Sequence, residues 1–114
     1  MFQLSPSSDT TGITEMGEVE VSPALIAKLF GFPAKGDGYK VSGEYVFVDS
    51  NGNPFVVHDW KCTSLWDNNF PTPEKFWTSV EPAELSISSP DLDTQEFQRW
   101  FLDQLRGIQD RASD

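Results

Sequence analysis

KVSGEYVFVDSNGNPFVVHDWK, residues 40–61, is the stretch whose reading decides the fold. Two apolar runs, 41–49 and 55–61, flank Ser50-Asn51-Gly52-Asn53-Pro54. Asn-Gly between such runs signals a β-hairpin, because both residue types tolerate positive φ. Pro54 has no N–H to give to a ladder, so it belongs at the mouth of the second strand. Alternation puts Val41, Gly43, Tyr45 and Phe47 on one face and Ser42, Glu44, Val46 and Val48 on the other. Both faces are therefore partly apolar. Helices on one side, with loops or another protein on the other, would satisfy that pattern.

Upstream of the hairpin, Ser22-Pro23 opens a helix over 22–30. Ser22 supplies the cap, and Pro23 fits the first helical position, where its missing donor is not needed. Leu25, Ile26, Leu29 and Phe30 recur at helical spacing, and Gly31 and Pro33 end the element. Before it, Glu18-Val19-Glu20-Val21 alternates as a short strand with one charged face. Residues 1–12 are polar and turn-rich and read as a flexible segment.

Downstream, 62–72 is a loop that carries Leu65, Trp66 and Phe70. Thr72-Pro73 repeats the cap-then-proline signature and predicts one helical turn anchored by Phe76 and Trp77. Residues 83–88 alternate as a further strand, with Leu85 and Ile87 inward. Asp93, with Glu96 three residues on, forms a capping box for a terminal helix over 93–106. Phe97, Trp100, Phe101 and Leu105 make its buried stripe, Gly107 ends it, and 108–114 read as a frayed terminus. The expected fold is α+β. One domain over 13–107 holds a three- or four-stranded, mainly antiparallel sheet, built from the hairpin 40–61 and edge strands, with two helices on one face.

Charge bounds the function. Eighteen acidic residues against eight basic ones give a net charge of −10. Such a chain repels phosphate backbones and anionic membranes, which argues against direct nucleic-acid or membrane binding. A basic protein partner is the natural complement, although acidic charge also serves solubility alone. The candidate partner-binding acids are Glu18 and Glu20 on the first strand and Glu81, Glu84, Asp91 and Asp93 around the last. Carboxylates at i and i+2 on a strand stand about 7 Å apart, near the phosphate spacing of a nucleic-acid strand. These rows are short, so a partly acidic protein-binding face fits better than mimicry of a whole duplex. Trp66 is the candidate apolar anchor, since Trp concentrates at interface hot spots.

The chemistry-bearing residues are few. Cys62 is the one cysteine and His58 the one histidine, so the chain can form no internal disulfide and no Cys/His metal centre. A lone cysteine, no apolar run of about 18 residues and no signal-peptide pattern point to a cytoplasmic protein. His58 and Asp59 are adjacent on a strand and point apart, and no nucleophile sits in a recognisable frame. The glycines at 36 and 38 lack the Gly-Lys-Ser/Thr of a phosphate loop. No catalytic, cofactor or metal residue is therefore assigned, and an enzyme is not expected. An alternative site groups Lys40, His58, Trp60 and Lys61 as a cationic and aromatic pocket for a small anion such as a signalling nucleotide. A sheet apolar on both faces is also compatible with a homodimer.

The run FGFPAKGDGYKVSGEYVFVDSNGNPFVVHDWK, followed by PTPEKFW, ELSISS and an acid-capped terminal helix, resembles small acidic accessory proteins of bacteriophages and mobile elements. The resemblance spans about residues 31–105. In those proteins the return strand tends to end in aromatic-Asp-aromatic-Lys, and His58 takes the first aromatic position here. The resemblance implies a viral accessory protein acting in the host bacterial cytoplasm. It would inhibit a nucleic-acid-binding defence enzyme, of the CRISPR or restriction type, by protein–protein binding.

Overall fold

The structure, a computed structural model, describes residues 2–5, 10, 12–36, 38–90 and 93–113, with side chains as far as Gly107. The hairpin forms where expected. Strand β4 (Gly43–Val48) pairs antiparallel with β5 (Pro54–His58), Glu44 opposite His58 and Val48 opposite Pro54. Its turn differs from the expected one. Gly52 alone in the turn takes positive φ, at 81°. Asp49 replaces the second left-handed residue: its Oδ1 accepts the N–H groups of Asn51 and Asn53 at 2.9 Å. Its Oδ2 accepts Asn53 Nδ2 at 3.1 Å. Burial pushes the Asp49 carboxyl up, but these hydrogen bonds outweigh it and hold the group below the ordinary carboxylate range.

The rest of the sheet is laid on this hairpin. Strand β6 (Ala83–Ser89) joins β5, and β2 (Thr14–Val21) joins β6, both antiparallel. On the other side, β1 (Gln3–Leu4) and β3 (Ala34–Lys35) each pair with β4, giving the order β1-β4-β5-β6-β2. Among the described residues the fold is α+β, as expected, but the open antiparallel sheet has six strands rather than three or four, because the two-residue strands β1 and β3 both add to β4. Three helices accompany it, α1 (Pro23–Phe30), α2 (Pro73–Trp77) and α3 (Gln95–Ser113).

The expected alternation holds in the core. Val19, Val21, Tyr45, Phe47, Phe55, Val57, Leu85 and Ile87 meet Ile26 of α1, Phe76 and Trp77 of α2, and Phe97, Phe101 and Leu105 of α3. Phe97 stacks on Phe55 with centroids 5.0 Å apart and on Phe101 at 5.7 Å. Fully burying each such ring contributes about 2–3 kcal/mol before entropy is counted.

Three expectations need correction. Residues 2–5 do not stand outside the fold: Gln3 pairs with Val48, and Ser5 N–H donates to Val46 O at 2.7 Å. Phe2 lies 5.3 Å from Phe55, 5.2 Å from Phe97 and 5.4 Å from Trp100. One aromatic at the start of the chain outweighs the polar run behind it. The terminal helix starts at Gln95, with Thr94 in the cap position. Asp93 still helps, because its Oδ1 accepts the Gln95 N–H at 2.9 Å. That helix also runs through Gly107 to Ser113. A single glycine inside a helix costs only about 1 kcal/mol, and Gly107 is not among the glycines of positive φ that could end one.

Candidate functional site

A buried carboxylate ties the end of β5 to the start of β4. Asp59 is fully buried. Its Oδ1 accepts the N–H groups of Ser42 and Gly43, each at 2.9 Å, and its Oδ2 accepts the Ser42 hydroxyl at 2.8 Å. Ser42 Oγ in turn accepts the indole N–H of Trp77 at 3.0 Å. Burial raises the Asp59 carboxyl above its ordinary value, and the Gly43 and Ser42 hydrogen bonds pull part of that back. Glycine is needed at 43 because a Cβ there would stand 2.5 Å from Pro33 Cγ. Asp59 is thus a clamp that fixes the loop ends on either side of it.

Past that clamp the chain bends sharply. Lys61 sits at φ 58°, the one positive φ outside glycine among the described residues. Its N–H donates to Lys40 O at 2.7 Å, which brings 60–61 beside 39–40. Lys61 Nζ lies 4.4 Å from the centroid of a Trp66 ring and 5.5 Å from that of Trp60. Lys40 Nζ stands 5.6 Å from the same Trp60 ring. Tyr39 packs on Trp66 at 5.1 Å. Trp60 and Tyr39 remain 46% and 52% exposed, so about half of each ring surface is open to solvent.

The structure therefore joins Lys40, Trp60 and Lys61 of the expected pocket to Trp66, which the sequence reading assigns to a different role. Tyr39 completes the cluster and was not among the candidates; an aromatic residue beside Lys40 in a glycine-rich loop was the signal for it. His58 stands at the border. It lies on the outer sheet face, with Nε2 3.0 Å from Ser88 Oγ and its ring 6.3 Å from Trp60. Ser88 is itself buried, so this contact is a hydrogen bond within the sheet face.

The acids divide differently from the expectation. Glu18 faces Ser86 and Glu20 faces Glu84 across the β2–β6 ladder, which puts Glu18, Glu20 and Glu84 together on the outer face. A hydrogen bond with Glu84, and the repulsion of its charge, raise the Glu18 carboxyl, with a smaller push from Glu15. Glu81 precedes β6 and Asp93 follows its far end, so neither belongs to this row. Asp91 lies outside the described residues. Among those residues β2 pairs with β6 alone, so its other side is the open edge of the sheet. Cys62 is half-buried beside this region; burial, then the charges of Asp59 and Glu84, push its thiol up, away from the reactive thiolate.

Among the described residues no group of three or more His, Cys, Asp or Glu could hold a metal ion, and no helix is long and apolar enough to cross a membrane. No protein-family model matches the chain, and no curated protein matches it.

Proposed function

We propose that the protein is an interaction protein that binds a basic protein partner through the outer face of β2 and β6. The observation that carries this reading is the acidic row on that face: Glu20 stands directly opposite Glu84, and Glu18 is next along the same face of β2. Like charges directly opposed on a sheet, as Glu20 and Glu84 are, oppose folding, and the ladder itself pairs no cation with them. A partner's Lys or Arg would relieve that repulsion on binding, so the energy spent in the free protein returns in the complex. The neighbouring edge of β2 offers backbone groups for an added strand, which would fix the register of the partner against the carboxylates.

A net charge of −10 would also speed the encounter with a basic surface. Enzymes that bind nucleic acid carry such surfaces in their phosphate channels. In keeping with the resemblance to phage accessory proteins, the partner class is a bacterial nucleic-acid-binding defence enzyme, and the activity is inhibition by occlusion. The test is binding of the immobilised protein to purified CRISPR and restriction complexes across a salt series, with a Glu18→Lys/Glu20→Lys/Glu84→Lys variant beside it. Binding that weakens with salt and is lost in the variant is expected. If the wild-type protein bound none of them, or the variant bound equally well, the proposal would be wrong.

A further inference from the structure

The acidic face leaves the aromatic and lysine cluster at the open end of the hairpin without a role. We propose that Tyr39, Lys40, Trp60, Lys61 and Trp66 form a binding site for a mononucleotide. Two kinds of recognition meet there. Half-exposed rings at Trp60 and Tyr39 offer faces on which a base can stack, a contact that accepts any base because every base has a π-face. Two ammonium groups lie over one indole, Lys40 at 5.6 Å and Lys61 at 5.5 Å from its centroid, so cationic charge stands beside whatever meets the exposed part of that ring. A ligand that stacks on Trp60 and bears a phosphate satisfies both at once.

The backbone points the same way. Position 61 has a left-handed conformation, which glycine or asparagine adopts at far lower cost than lysine. Lysine there is explained by what its side chain does, and its Nζ is held between two indoles. The Asp59 clamp fixes Ser42 and Gly43 on one side and leads directly into Trp60 on the other, so the site is ordered before any ligand arrives.

Charge limits the ligand's size. His58, at the border of the site, pairs with Ser86, and Glu84 lies two residues from Ser86 on the same face of β6. Glu84 is close enough for its charge to act on Cys62 beside Lys61, so the acidic row begins next to the site. Physiological salt screens charge over about 8 Å. A mononucleotide held at Lys40 and Lys61 feels their local field, whereas a longer nucleic-acid strand would run its phosphates across Glu84 and Glu18. A small nucleotide is favoured, and a strand is not.

The site shares no residue with the acidic row, so its test is independent of the partner proposal. Isothermal titration calorimetry would use AMP, GMP, CMP and UMP, with adenosine and inorganic phosphate as separate arms and a short single-stranded DNA as a third. Saturable binding of at least one nucleotide is expected, stronger than either adenosine or phosphate alone and not exceeded by the DNA. Trp60→Ala and Lys61→Asn should each weaken it about tenfold or more; asparagine keeps the left-handed backbone, so Lys61→Asn reports on the ammonium group alone. The proposal is overturned if no nucleotide binds at millimolar concentration or if Lys61→Asn binds like the wild type. It is equally overturned if phosphate matches the nucleotides or if the DNA binds more tightly than they do.

Discussion

Asp59 Oδ1 accepts the backbone N–H of Gly43 at 2.9 Å, which joins the residue after β5 to the first residue of β4 through a side chain. The same carboxylate takes the Ser42 N–H and hydroxyl, and Trp77 then rests on Ser42. Asp59→Ala would leave buried donors at 42 and 43 without an acceptor. A single orphaned buried donor costs about 1–3 kcal/mol, so the variant should lose about 3 kcal/mol of stability or more. Urea unfolding measures it directly, and a loss under about 1 kcal/mol would show that water replaces the carboxylate.

Lys61 gives a second, opposite kind of prediction. Its left-handed backbone costs about 1–2 kcal/mol for an ordinary L-residue, while an exposed cation–π contact returns about 0.5–1 kcal/mol. Lys61→Gly removes both terms and should leave stability within about 0.5 kcal/mol of the wild type. Lys61→Val loses the cation and keeps the strain, with a β-branched side chain that fits this conformation worst. It should cost about 2 kcal/mol in the same unfolding experiment. Equal stability of the two variants would mean that the bend is not held as described.

The contrast between these two residues shows what was legible in the sequence. The period-two pattern of 41–48 and 55–58 and the helical stripe at Phe97, Phe101 and Leu105 report burial directly, so the sheet, its inner face and the helices could be read. The opposite projections of Asp59 and Trp60 followed from alternation as well. The clamp itself did not, because nothing in a sequence says that a strand-end aspartate turns back to bind backbone N–H groups sixteen and seventeen residues earlier. Trp66 meets Lys61 at a bend where Lys61 adopts a backbone conformation that its residue type disfavours, which local pattern does not announce. The acids could be counted but not grouped: Glu18 and Glu84 come together through the β2–β6 register, which local pattern does not fix.

Phe2 tests the corrected N-terminus. Its ring meets Phe55, Phe97 and Trp100 at 5.2 to 5.4 Å, and β1 follows immediately. Large-to-small changes at aromatic core positions cost about 3–5 kcal/mol, and Phe2 is half-buried, so Phe2→Ala should cost about 2 kcal/mol. Hydrogen exchange should also quicken at Ser5, whose N–H is bonded to Val46 O. A variant as stable as the wild type would return residues 2–5 to a loosely attached segment.

The acidic row predicts how stability follows pH. Glu18 has a raised carboxyl because Glu84 shares a hydrogen bond with it and repels its charge. A carboxyl raised in the folded state holds its proton where the unfolded chain has already lost its own. Its contribution is therefore full below the ordinary carboxylate value and is lost as pH rises through the folded value. Melting temperature should climb as pH falls from 7 toward about 5, the approach to the ordinary glutamate range. Asp59 is raised by burial and acts with the same sign, whereas Asp49 is lowered, so its stabilisation holds at these pH values and is lost only as pH falls below the ordinary carboxylate range. Glu84→Gln separates these contributions: it removes the charge beside Glu18 and leaves Asp59 untouched. The variant should melt higher than the wild type at pH 7 and show a flatter climb on acidification. A lower melting temperature at pH 7 would mean that a proton shared between the two glutamates outweighs their repulsion, leaving a basic partner no stored repulsion to relieve.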